Sequence, residues 1–309
     1  MPSGHADRVT QMTRAGIAAA VAVAREQGLA AGAPRLLSSR GNVLVHLAPA
    51  PVVARVATLT AWSRGDPFGY LEREVVVARE LAGRGAPVVP PTALADPGPH
   101  WHGGLAVSLW TLTPDSGDRP GPAAAGRALA RLHQAGAGIA RDLPVLAPIA
   151  DLSESIGILE RERAAEPDTA AALRRRHAEV LAEVDAAGGT PLRVLHGDAH
   201  AGNLLTAGRG WTWIDLEETC SGPREFDLAV LASSSGPRWD SPGAPAIALA
   251  AYAAETGGPT PGLPELAPFT RARDLQAAVW VLGMAHQYPD RYGPQLPGRL
   301  ARALSPDNS

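Results

Sequence analysis

The stretch Val194-Leu-His-Gly-Asp-Ala-His-Ala-Gly-Asn-Leu-Leu205 decides how this chain is read. It places His196, Asp198, His200 and Asn203 within eight residues, between apolar flanks. Three readings compete: a metal site, a phosphate-transfer loop, or a buried turn. A zinc hydrolase would use His196 and His200, whose spacing of four sets two imidazoles on one helix face. Gly197 and Gly202 disfavour a helix there, however. Gly197 also stands where the helical zinc motif carries its glutamate, and no third-ligand motif is evident. A lone Asp or Asn is usually a turn former, so the loop alone does not choose among the three.

The rest of the chain narrows the choice. It has 309 residues, enough for two lobes or one large domain. Hydrophobic residues make up 45% and charged residues 19%, which suits sizeable cores and argues against disorder. A net charge of -3 gives no sign of a nucleic-acid binder. All 28 basic residues are arginine, so any phosphate contact that normally uses lysine must be made by another group. Cys220 is the single cysteine, which rules out an internal disulfide and fits a reducing compartment. The apolar run Ala15 to Ala24 is too short for a bilayer, where roughly 20 residues are needed. It is expected to be an Ala-rich helix of a cytoplasmic protein with no membrane partner.

Periodicity predicts a helix over Val9–Gln27, a turn cluster at Ser38–Asn42, and strands at Val43–Leu47 and Val52–Val56. A helix follows over Tyr70–Gly83, then strands at Thr92–Ala95 and Leu105–Trp110. A Pro/Gly loop at Pro114–Pro122 separates this strand-rich part from a helical remainder. There, helices are expected at Gly126–Gln134 and, in two pieces broken near Pro167, over Leu152–Ala186. Trp211–Leu216 reads as a short strand. The expected organisation is a nucleotide-binding lobe over residues 1–112 and a catalytic, acceptor-binding helical lobe over 113–309. Ligand clefts often lie between two such lobes.

Several motifs now fall into one order. His196-Gly-Asp198 with Asn203, followed by Ile214-Asp215, resembles the paired catalytic and metal motifs of the aminoglycoside phosphotransferase/choline kinase superfamily. Gly126-Arg-Ala-Leu-Ala-Arg-Leu-His133 resembles the helix before the catalytic loop. Gly222-Pro-Arg-Glu-Phe-Asp-Leu-Ala229 resembles the turn after the metal-binding aspartate, and Leu71-Glu-Arg-Glu74-Val75 the start of the helix that carries an ion-pair glutamate. The resemblance covers roughly residues 35 to 290. It implies an α+β, bilobal, protein-kinase-like fold with a small β-rich N-lobe and a larger, mainly helical C-lobe.

It also implies an ATP- or GTP-dependent O-phosphotransferase that uses Mg²⁺. Such chemistry asks a protein mainly for positioning and charge neutralisation. Asp198 would orient the acceptor hydroxyl and take its proton. Asn203 and Asp215 would offer oxygen ligands to Mg²⁺, a hard ion. His196 is expected to be structural, Asp227 to brace the loop, and His200 to face the phosphates. Arg55 occupies the place of the family's phosphate lysine, with the charge kept on a longer, planar group. Glu74 is its expected partner, with Glu72 as the fallback. Ser39, Arg40 and Gly41 would cover the phosphates, while Trp110 and Leu112 lie on the hinge strand that would meet the purine.

The acceptor is a hydroxylated small molecule, with an antibiotic such as an aminoglycoside the leading expectation. A choline-, homoserine- or sugar-type metabolite kinase and a catalytically silent nucleotide-binding module are the alternatives. Glu217, Glu218 and Asp240 would favour a cationic acceptor; Trp239, Trp280, His286 and Tyr288 would suit a larger, less charged one.

Overall fold

A computed structural model describes residues 3–58, 65–139, 141–188, 191–208, 210–233, 239, 242–259 and 261–305. The chain divides into two compact units: Met1–Arg79 with Val89–Thr113, and Glu80–Val88 with Pro114–Ser309. The expected boundary after Leu112 did not anticipate residues 80–88 in the larger unit.

The smaller unit is built on five antiparallel strands in the order β1-β2-β3-β5-β4. These are β1 (Arg35–Ser39), β2 (Asn42–His46), β3 (Val52–Ala57), β4 (His100–His102) and β5 (Leu105–Thr111). Because successive strand residues face opposite ways, Val43 and Val45, then Val52, Ala54 and Val56, then Val107 and Leu109 share one face. Helix α1 (Ser3–Glu26) covers that face with Ala20, Val23 and Ala24. The opposite face carries Ala57 and Ala106, which pack on Leu71 of α2 (Pro67–Gly83). Arg55 has the same parity as Ala57, so its side chain leaves the strand toward α2.

The strand expected at Thr92–Ala95 does not form. Thr92 donates one backbone bond to Leu109, but Pro90, Pro91 and Pro97 lack the N–H groups that a ladder requires. The edge strand is β4 instead. It is joined to β5 through Gly103 and Gly104, whose φ values of +58° and +80° suit the tight two-residue hairpin turn.

The larger unit is mainly helical: α3 (Pro122–Gly136), α4 (Ala147–Ala150), α5 (Leu152–Arg161), α6 (Pro167–Ala187), α7 (Arg224–Ala232), α8 (Ala244–Thr256), α9 (Ala267–Gln287), α10 (Pro289–Tyr292) and α11 (Leu296–Leu304). Pro122 and Pro167 open their helices, where a missing N–H costs nothing. Helices α3 and α8 approach closely because Gly126 has no side chain; a Cβ there would strike the Ala248 carbonyl. Two short strand pairs hold the polar loop: β6 (Arg193–Leu195) against β9 (Cys220–Gly222), and β7 (Leu204–Ala207) against β8 (Gly210–Trp213). The strand expected to run to Leu216 ends at Trp213.

Candidate active site

The polar loop leaves β6 at Leu195 and turns at Gly197, whose φ is +82°. A Cβ at that position would collide with the Glu218 carbonyl, so both the turn and the close approach require glycine. The fully buried Asp227, on α7, holds the turn from below. Its carboxylate accepts the backbone N–H groups of His196 (2.8 Å) and Gly197 (2.9 Å). His133 on α3 adds a third bond to Asp227 at 3.0 Å, while its other ring nitrogen meets the Tyr252 hydroxyl at 2.8 Å. A neutral ring with the proton on Nε2 satisfies both contacts: it donates to the carboxylate and accepts from the phenol. One buried carboxylate with three donors thus fixes the start of the loop. Asp227 is placed as a brace, and His133 and Tyr252 complete it.

The two loop histidines are ordered by backbone. Nε2 of His196 donates to the Ile214 carbonyl at 3.1 Å, and its Nδ1 accepts the Asp198 N–H at 3.2 Å. Its ring also packs edge-on against the buried Trp213, with centroids 4.9 Å apart. Nδ1 of His200 accepts the Gly202 N–H at 3.0 Å, leaving Nε2–H directed at Asp198 Oδ2, 3.5 Å away. Three of the four ring nitrogens are thus engaged with backbone, and the segment is a loop and a 3₁₀ turn (Ala201–Asn203) rather than a helix. The zinc reading fails on that geometry: His196 has no ring lone pair to offer. Among the described residues no group of His, Cys, Asp and Glu is arranged to hold a metal ion.

Asp198 sits at the centre. Asn203 Nδ2 donates to both its carbonyl oxygen (3.0 Å) and its Oδ2 (3.2 Å). Oδ1 faces Arg273 of α9, with Nη2 at 2.6 Å. Burial pushes the Asp198 pKa up, but Arg273, then His200 and His196, and the Asn203 amide outweigh it, so the carboxyl lies below the ordinary aspartate range. Arg273 makes the shorter of the two charged contacts to the carboxylate, 2.6 Å against 3.5 Å for His200. The sequence analysis gave Arg273 no role. Nothing local to it signals the contact, which comes from a helix some 70 residues downstream.

Asp215 follows β8. The Ile214 N–H donates to the Asn203 carbonyl at 3.0 Å, which ties the segment before Asp215 to the loop. Asp215 itself has φ +67° and ψ +52°, a left-handed conformation that aspartate tolerates better than most residues. Strain of this kind is concentrated at functional sites. Asn203 turns its amide nitrogen to Asp198, so its Oδ1 points the other way. An amide oxygen and a carboxylate are hard donors of the kind Mg²⁺ prefers.

In the smaller unit, Arg55 Nη1 and Glu74 Oε1 pair at 3.1 Å, both buried. Glu72 is exposed, which leaves Glu74 as the partner. Ser39 closes β1, and Arg40 with Gly41 forms the turn into β2; the Gly41 carbonyl accepts from the Thr58 hydroxyl at 3.2 Å. Trp110 is buried in β5 with its indole N–H on Ser108. The Leu112 N–H already donates to the Pro51 carbonyl at 2.9 Å and so is not open to a purine.

The residues expected around the acceptor do not form one group. Glu217 is buried and Glu218 half-buried, in a turn directly after Asp215. Trp239 is buried, its indole N–H bonded to the Pro120 carbonyl at 3.2 Å, which is a packing contact rather than an open wall. Asp240 lies outside the described residues. Trp280 is partly exposed and stands at right angles to Tyr292, which also meets Tyr288. His286 is half-buried near the end of α9.

Comparison with known proteins agrees with this arrangement. No curated protein matches the chain by sequence. Among solved structures, a choline/ethanolamine kinase family protein from Mesorhizobium loti is 22% identical, with a TM-score of 0.61 over 97% of this chain and 96% of that one. An amicoumacin kinase in complex with AMP-PNP, Ca²⁺ and Ami has a TM-score of 0.65 at 12% identity, over 88% and 87% of the two chains. A spectinomycin phosphotransferase in complex with ADP and spectinomycin has a TM-score of 0.58 at 13% identity, over 92% of each chain. At these identities the likeness is one of fold, and it is the bilobal kinase-like fold. Residues 32–269 match the phosphotransferase enzyme family, and the chain belongs to that family.

Proposed function

We propose that this small-molecule kinase transfers the γ-phosphoryl group of Mg·ATP to a hydroxyl, with Asp198 as the base. In the reaction the acceptor oxygen bonds to the γ-phosphorus and the bridge to the β-phosphate breaks. The hydroxyl proton passes to the Asp198 carboxylate and then to solvent, and ADP leaves. The observation that carries this reading is the state of Asp198: an ionised, partly accessible carboxylate, oriented by Asn203 on a loop whose amides Asp227 clamps. General-base groups of this kind are worth about 10² to 10⁴ in rate.

Asn203 and Asp215 would hold the Mg²⁺. When bound, the ion neutralises charge on the phosphates. Arg55, steadied by Glu74, would grip phosphate oxygens; a guanidinium does this through two parallel bonds where lysine offers a point charge. His200 has its Nε2 3.5 Å from Asp198 Oδ2 and would orient the base. The solved relatives that carry nucleotide analogues support nucleotide use. For the acceptor, an antibiotic or a metabolite fits the family equally. A polycationic aminoglycoside is the weaker candidate, because it would meet Arg273 beside the base.

The test is an ADP-release screen over hydroxylated antibiotics and metabolites, with Asp198→Ala as control. The expected result is acceptor-dependent ADP release that falls about 10²- to 10⁴-fold in the variant. Mg·ATP should also raise the Tm, and EDTA should cancel that rise. Stabilisation by Zn²⁺ alone, or release that survives Asp198→Ala, would overturn the proposal.

A further inference from the structure

We infer that Arg273 selects an anionic acceptor: a hydroxylated molecule with a carboxylate or phosphate beside the hydroxyl to be phosphorylated. The inference rests on the reading of Asp198 as the base. The Arg273 guanidinium lies 2.6 Å from Asp198 Oδ1, and both side chains keep about a fifth of their surface open, 20% and 21%. Whatever brings a hydroxyl to Asp198 therefore arrives within reach of Arg273. A guanidinium has five N–H donors in a fixed fork. Here Nη2 forms an ion pair with Asp198, and Nη1 donates to Gln276 at 2.8 Å. The remaining donors suit an oxyanion, which can be gripped through two bonds.

Asp274, next along α9, faces Arg302 and Arg299 as well as Arg273. Arg271 is already matched by Glu183 at 2.5 Å. Of the acidic residues that would welcome a polycation, Glu217 is buried, Glu225 pairs with Arg224, and Glu218 is half-buried in the turn against Gly197. The aromatic group around Tyr292 is also unsuited to a quaternary ammonium, since Arg291 stacks over the Tyr292 ring, 5.4 Å from its centroid.

The experiment compares matched acceptors of one carbon skeleton: hydroxy acids, their methyl esters, and the corresponding amino alcohols. Hydroxy acids should lead the esters in kcat/KM by about 10- to 100-fold, the worth of one hydrogen bond to a charged group. Arg273→Gln should collapse that ratio, and Arg273→Lys should restore much of it, which a purely structural role would not do. If esters or amino alcohols lead in the wild type, or Arg273→Gln keeps the preference, the inference is overturned and phosphotransfer stands. If Mg·ATP raises the Tm but no hydroxy acid is turned over, the inference alone falls. If neither nucleotide binding nor ADP release is seen, the reading of the site falls and takes the inference with it.

Discussion

Two arginine–carboxylate pairs, one in each unit, stand at the positions proposed to act in catalysis, and they differ in kind. Arg55–Glu74 is 3.1 Å long, with side chains 8% and 1% exposed. Asp198–Arg273 is shorter, 2.6 Å, with both side chains about a fifth exposed. Distance alone would rank the second pair stronger. Burial reverses the order, because the attraction between charges and the cost of orphaning one both grow as water is removed. The buried pair is a fixed part of the smaller unit. The open pair can exchange partners, which the proposed role of Asp198 as a base requires.

The largest effect should come from cutting the buried pair. Glu74→Gln leaves the Arg55 charge without its carboxylate inside the unit, and breaking such a pair typically costs about 3–5 kcal/mol. Urea unfolding would read this as a lower midpoint at unchanged slope. The double change Arg55→Met with Glu74→Leu should recover a substantial part of the loss, because apolar replacement removes both charges together. Equal and small effects for the single changes would erase the distinction between the two pairs.

The same contrast explains what could be read in advance. Glu74 was accessible to sequence reasoning because the resemblance in motif order places an ion-pair glutamate on the helix after β3, opposite the position that Arg55 fills. Gly197, Asp198 and Asn203 lie in one short loop, so their proximity follows from chain geometry, and Asp227 was placed by the Gly/Pro turn before it. Arg273 is different. It reaches Asp198 from α9 through the packing of α9 on α6 and α7, and no local pattern encodes that approach. The brace by His133 and Tyr252 was missed for the same reason: it joins α3, α7 and α8. Aromatic residues misled in the other direction. Trp239 has the chemistry of a pocket wall, but its indole N–H is bonded to a backbone carbonyl and the ring is buried. The false strand at Thr92–Ala95 shows a further limit, since apolar alternation cannot form a ladder where prolines remove the donors.

The finest separation of the two pairs concerns Arg273. Arg273→Gln should cost under about 1 kcal/mol of stability, as expected for a partly solvated pair. Its signature should instead appear in the pH dependence of kcat/KM. The Asp198 pKa is depressed in the folded protein, so the base is ionised throughout the neutral range and activity falls only in acid below the ordinary aspartate value. The stability this group contributes is likewise present above its unfolded pKa and lost as pH falls through the lower, folded one. Without Arg273, burial is opposed by His200, His196 and the Asn203 amide but no longer by the guanidinium, so the pKa should rise and the acid limb should move to higher pH. Arg273→Lys keeps the charge and should leave the limb near its wild-type position. A limb that does not move in Arg273→Gln would mean that the loop itself, through Asn203 and the backbone, sets the ionisation of Asp198. The open pair would then be no more than a surface contact, and the contrast with Arg55–Glu74 would be one of strength alone.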